Sequence, residues 1–165
     1  MSNEAFWRII KTACPPDGEP SHRPDRLADT LRTVPTDDVV AFARTYEQHV
    51  ARAYTWSLWG AAYVINGGCS DDGFDYFIDW LISEGRSTYE AALADPDSLA
   101  TLPQIVEADL ETLRYVPATV FEDRTGTPMP SWPPPGHPSL AEPYGEPWDE
   151  SDLDTLYPRL HARYG

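Results

Sequence analysis

The sequence predicts an all-α fold, and three observations carry that prediction. Apolar residues recur at helical spacing, most clearly at Phe74, Phe77, Ile78, Leu81 and Ile82, the i, i+3, i+4, i+7, i+8 stripe of an amphipathic helix. Cap-type residues stand before such stretches, and glycine or proline after them. No alternating apolar and polar pattern of useful length occurs, nor any internal repeat. A chain of 165 residues fits one domain over 1–165, long enough to bury roughly two thirds of its unfolded surface.

The elements follow in order. Asn3 is placed to cap a first helix carrying Phe6, Trp7, Ile9 and Ile10, which ends by Pro15-Pro16. The proline-rich run to Asp25 reads as loop, and 26–34 as a helix with Leu27, Leu31 and Val34 on one side. Thr36 with Asp37-Asp38 predicts the next N-terminus, and Val39, Phe42, Ala43, Tyr46, Val50 and Ala53 its buried face, with His49 at the edge. Ser87 and Glu90 have the form of a capping box, and Asp95-Pro96 that of a cap followed by proline at the first helical position. From Gln104, Val106, Leu110, Leu113, Val120 and Phe121 keep a helical period that Pro117 should kink, with Thr125-Gly126 closing it. Residues 127–147 hold eight of the seventeen prolines. They read as an irregular arm packed on the helical body through Trp132, Leu140 and Tyr144, and Pro133-Pro134-Pro135 as a stiff connector rather than a ligand for aromatic grooves. A last helix carries Leu153, Leu156 and Leu160, interrupted at Pro158.

The chain is organised around 56–86, WSLWGAAYVINGGCSDDGFDYFIDWLISEGR. It reads as helix, Gly67-Gly68 turn, helix. The first helix is apolar all round and expected at the centre of the core. Ser70 is a good N-cap, Asp71 and Asp72 sit at the positive end of the helix dipole, and Gly85 stands where a C-terminal glycine belongs. This run, with Phe6-Trp7, Asp95-Pro96-Asp97-Ser98-Leu99 and Gly145-Glu146-Pro147-Trp148-Asp149-Glu150, resembles domain of unknown function family 4240 over nearly the whole chain. Ile78 departs from the resemblance, standing where the family is basic, so no polar role is expected at that position. The resemblance implies a small bacterial domain and no reaction, substrate or site.

Composition narrows the function classes. Twenty-seven acids against twelve bases give a formal charge of −15, a field that repels nucleic acid and anionic membranes and favours a basic protein or a cation. Eleven of the twelve bases are arginine, as in a GC-rich bacterium. Two cysteines, Cys14 and Cys69, form neither a disulfide framework nor a zinc signature. No signal peptide or membrane span is expected, so the localisation expected is cytoplasmic.

The candidate cluster comprises Trp59, Asn66, Cys69, Ser70, Asp71, Asp72, Asp75 and Arg86. A thiolate at Cys69 is opposed by the two aspartates, and no histidine is close in sequence. A phosphate cradle at Gly67-Gly68 lacks its lysine, since Lys11 is the only one. Asp71, Asp72, Asp75 and Asp79 could offer oxygen ligands to Mg²⁺ or Ca²⁺, but capping already accounts for the first two. No cofactor is expected. The reading is a non-enzymatic acidic interaction protein, regulatory or immunity-like, that recognises a basic protein. The alternative is an enzyme or metal-binding domain centred on the Gly67–Phe74 turn.

Overall fold

A computed structural model describes residues 1–131 and 142–165. The fold is all-α, and no strand forms among the described residues; only an isolated parallel bridge joins Thr55 and Tyr144. The helices are α1 (Asn3–Ala13), α2 (Arg23–Arg32), α3 (Thr36–Ala53), α4 (Trp56–Asn66), α5 (Asp71–Ser83), α6 (Arg86–Ala94), α7 (Val116–Thr125), α8 (Leu153–Leu156) and α9 (Pro158–Tyr164). Short 3₁₀ turns occur at Pro20–His22, Pro96–Thr101, Leu113–Tyr115 and Glu150–Asp152.

The core is centred on α5 rather than α4. Phe74 and every residue of 77–83 are buried, including Asp79 and Ser83. By contrast α4 leaves Ser57 exposed and Trp56, Trp59 and Tyr63 half-buried. The apolar sequence of α4 suggested the opposite. A helix surrounded on all sides still tolerates a polar residue whose hydrogen bonds are made internally, and α5 does so at Asp79 and Ser83. Ile78 is fully buried and apolar in role. His49 is likewise inside the core, 5% exposed and stacked on Phe6 at 4.7 Å.

Several ends differ from the sequence expectation. Ser2, not Asn3, caps α1 by accepting from the Ala5 amide. Pro35 precedes α3, and Thr36 is already helical without making a cap bond. Helix α2 begins at Arg23, because Pro24 fits the first turn of a helix. Gly85, at φ 92, sits at the junction of α5 and α6, and Ser87 makes no capping box; Glu90 pairs with Arg52 instead. Residues 104–112 are irregular, and α7 starts only at Val116 with Pro117 in its first turn. No kink arises, because proline at that position interrupts no helical hydrogen bond.

The C-terminal part is tied back by polar contacts. Asp97 accepts from the Arg159 and Leu160 amides at 3.1 and 2.8 Å, capping α9 across more than sixty residues. The Tyr157 hydroxyl donates to the Ser57 carbonyl, and its ring lies over Gly60 so closely that any Cβ there would collide with it. The arm is held by its main chain: Tyr144 bonds Tyr54 O and Trp56 N while its ring is 83% exposed. The ring therefore does not dock as expected. Trp132 and Leu140 lie outside the described residues.

Candidate functional site

The turn between α4 and α5 is built as a capping structure. Gly67 adopts the left-handed conformation at φ 67 that ends α4. The Ser70 hydroxyl accepts from the Gly73 amide at 3.2 Å and so starts α5. Asp71 and Asp72 stand exposed in its first turn. The Trp59 indole donates to Cys69 O at 3.0 Å and stacks between Trp56 and Phe74, each 5.2 Å away. The turn is thus fixed from beneath by an aromatic ladder.

Asn66 reaches out of the turn and holds a distant segment. Its Nδ2 donates to Ala108 O, and its Oδ1 accepts from Ala108 N, both at 3.2 Å. Two residues on, Leu110 N donates to Tyr76 O. These bonds replace the i→i−4 bonds of a helix, which is why 104–112 does not continue the helical period. The segment instead alternates: Ala108 and Leu110 face inward, while Glu107, Asp109 and Glu111 are exposed.

A cleft of about 510 Å³ separates turn and segment, lined by Asn66, Gly68, Cys69, Ser70 and Gly73 on one side and Val106, Glu107 and Asp109 on the other. A second cleft, of about 610 Å³, lies beyond the same residues, against Trp80, Arg23 and Glu84. Val106 through Asp109 therefore forms a ridge between two clefts, with Val106 at 96% exposure at its crest. Burial pushes the Asp109 carboxyl up and Glu107 and Glu111 add repulsion in the same direction, against a hydrogen bond from the Glu111 amide.

The structure brings Trp59, Asn66, Cys69, Ser70, Asp71 and Asp72 together around the turn. Asp75 turns away, 3.4 Å from Arg114, and Arg86 stands exposed at the start of α6, outside the cluster. Burial raises the Cys69 thiol to about 11, with help from Asp109 and Asp71, against a hydrogen bond involving Trp59. At neutral pH it is a protonated and weak nucleophile. Among the described residues no three His, Cys, Asp or Glu side chains are grouped to hold a metal ion. The sequence reading missed the ridge entirely, because its apolar residues also fit a helical period. The available signal was the strict alternation of acids at Glu107, Asp109 and Glu111.

It also missed a buried network around Asp79 of α5. Asp79 is fully buried and accepts from the Tyr46 hydroxyl at 2.8 Å and from Arg114 Nε at 2.7 Å. Arg114 Nη2 also donates to Asp75 O at 2.8 Å. Burial raises the Asp79 carboxyl to about 7, opposed by Arg114 and Tyr46. Three helices, α4 to α6, separate Tyr46 from Arg114, so no local motif announces the network.

No helix among the described residues is long and apolar enough to cross a membrane. Comparison with curated proteins and with solved structures yields no match. The family model described as Protein of unknown function (DUF4240) matches residues 1–123, which takes in the turn, both clefts and the ridge and leaves 145–150 outside. The chain belongs to that family.

Proposed function

We propose that this protein is a non-enzymatic interaction protein, regulatory or immunity-like and acting in the bacterial cytoplasm, that recognises a basic protein through the ridge at 106–111. The observation that carries the reading is the gathering of Glu107, Asp109 and Glu111 on one exposed line, although burial and mutual repulsion raise Asp109. Like charges held side by side oppose folding, and a cationic partner would relieve that repulsion. The overall charge of −15 would add long-range attraction for a basic surface. Val106 at the crest and Tyr115, 60% exposed, offer apolar contact beside the acids, the mixture of anchor and rim found in protein interfaces.

Charge neutralisation at matched sites tests it. Binding of an arginine-rich peptide to E107Q/D109N/E111Q is compared by calorimetry with binding to E122Q/D123N/D154N, which removes equal charge elsewhere. The ridge variant should lose about tenfold or more in affinity, and the control no more than about threefold. Equal losses would mean that net charge alone attracts the peptide, and the ridge would not be the site.

A further inference from the structure

The outer face of α4 is aromatic, and the chain itself shows what covers it. Trp56, Trp59 and Tyr63 stand at i, i+3 and i+7, so they share one face of the helix. All three are half-buried, and the Trp56 and Trp59 rings stack at 5.2 Å. Residues 142–150 lie over this face. The Tyr144 amide donates to Tyr54 O at 3.1 Å, and the Trp56 amide donates to Tyr144 O at 3.0 Å. The second bond takes up one of the free N–H groups in the first turn of α4. Further along, the Trp148 indole donates to Trp56 O at 2.7 Å, and its ring meets Trp56 and Tyr63 edge-on. The Tyr63 hydroxyl closes the far end by donating to Glu150 at 2.6 Å.

This segment is laid on the domain rather than built into it. Of residues 142–150 only Pro143 is buried, and Tyr144, Gly145, Glu146 and Pro147 are exposed. A cleft of about 490 Å³ remains beside the segment, lined by Ser57, Pro147, Trp148, Leu156 and Tyr157. Well-packed interiors leave no space of that size, and Leu156 is 51% exposed there. The chain that follows is fixed separately: Leu153, Tyr157 and Leu160 are buried, and Asp97 caps α9. The segment can therefore lift while α8 and α9 stay in place.

We propose that the aromatic face of α4 is a docking groove for an extended, proline-flanked segment of another protein, and that residues 142–150 fill it as a built-in competitor. The chemistry of the occupant is read from the segment seated there. It has a proline beside the residue that pairs with Tyr54 and Trp56, a second proline four residues on, a tryptophan next, and an acid two residues later. Such prolines restrict the chain before it docks, which lowers the entropy lost on binding. Proline-rich segments on aromatic grooves are a recurring mode of peptide recognition. An external segment with these groups meets the same partners, and it can also fill the cleft at Leu156 that the chain's own segment leaves open. This face is separate from the ridge at 106–111, so recognition at the ridge stands whatever the outcome here.

The test uses the full chain, its W148A variant and the synthetic peptide EPYGEPWDE, which copies 142–150. W148A frees the Trp56 carbonyl and loosens the resident segment without altering α4. By calorimetry the peptide should bind W148A at least about tenfold more tightly than the parent, because only chains with the segment lifted can accept it. A peptide with alanine for its tryptophan should lose about tenfold or more of that affinity. In the parent, hydrogen exchange should be about tenfold or more faster at the Tyr144 amide than at Phe77 and Leu81 in the core. Equal affinity for parent and W148A, no binding to a W148A that keeps the parent's circular dichroism, or Tyr144 exchange as slow as the core would each overturn the proposal. Loss of the fold in W148A would overturn it too, because 142–150 would then be part of the core. A parent dimer that W148A abolishes would make the occupant a second copy of this chain and overturn an external partner.

Discussion

Arg114 is held by Asp79, its Nε donating to Oδ2 at 2.7 Å, with Asp79 fully buried in α5 and Arg114 three residues past Glu111. The ridge is therefore anchored in its middle, by Asn66 at Ala108, and just beyond its end, by this ion pair. Removing one partner leaves a buried charge without its counter-ion, which costs about 3–5 kcal/mol. Asp79→Asn should lower stability by that amount in urea denaturation. Replacing both partners with apolar residues, D79L/R114M, should cost less than the two single changes added together. Additive losses would mean the pair is not coupled.

Stability against pH should carry the signature of His49. Its folded pKa is lowered to about 4 from 6.5, chiefly by burial and then by Arg52. Between those values the unfolded state holds more protons, and stability rises with pH. His49→Gln should lose that rise between about pH 4 and 6.5, as read by urea denaturation across the window. A pH curve parallel to the parent's would contradict the assignment.

At the turn, capping and charge separate cleanly. Ser70→Ala removes the bond to the Gly73 amide and should cost about 1 kcal/mol. The double change D71N/D72N removes only the dipole interaction of two exposed groups and should cost less than about 1 kcal/mol in moderate salt. Thermal melts measure both. A rise in melting temperature with Mg²⁺ or Ca²⁺ that the double variant loses would show a cation site instead.

Asn66→Ala tests whether the ridge is a held structure. Two hydrogen bonds are lost at Ala108, for an expected cost of about 1–2 kcal/mol. Amide exchange should accelerate at Ala108 and Leu110 and not at Phe77 or Leu81 in the core. Uniform acceleration would mean that Asn66 stabilises the whole fold rather than this segment.

Fold class was legible in the sequence because periodicity and punctuation agree along most of the chain. The stripe of α5, the Ser70 cap, the Asp95 cap and the Pro158 break all appear as read. What was not legible depends on contacts between distant segments. Val106 fits a helical period as well as an exposed crest, and only the bonds from Asn66 and Tyr76 decide between them. Helix α4 is the more apolar in sequence, yet α5 is central, because Tyr46 and Arg114 satisfy Asp79. At Tyr144 the aromatic ring suggested docking, whereas the peptide groups beside Thr55 make the attachment.

A basic partner seated on the ridge at 106–111, as proposed above, must perturb that segment before the rest of the acidic surface. Amide chemical shifts of the isotope-labelled chain, followed during titration with an arginine-rich peptide, report this residue by residue. Saturable shifts are expected at Val106, Glu107, Asp109 and Glu111 and nowhere else on the surface. Shifts spread over acidic positions throughout the surface, with no saturation at the ridge, would show that the ridge is not the site.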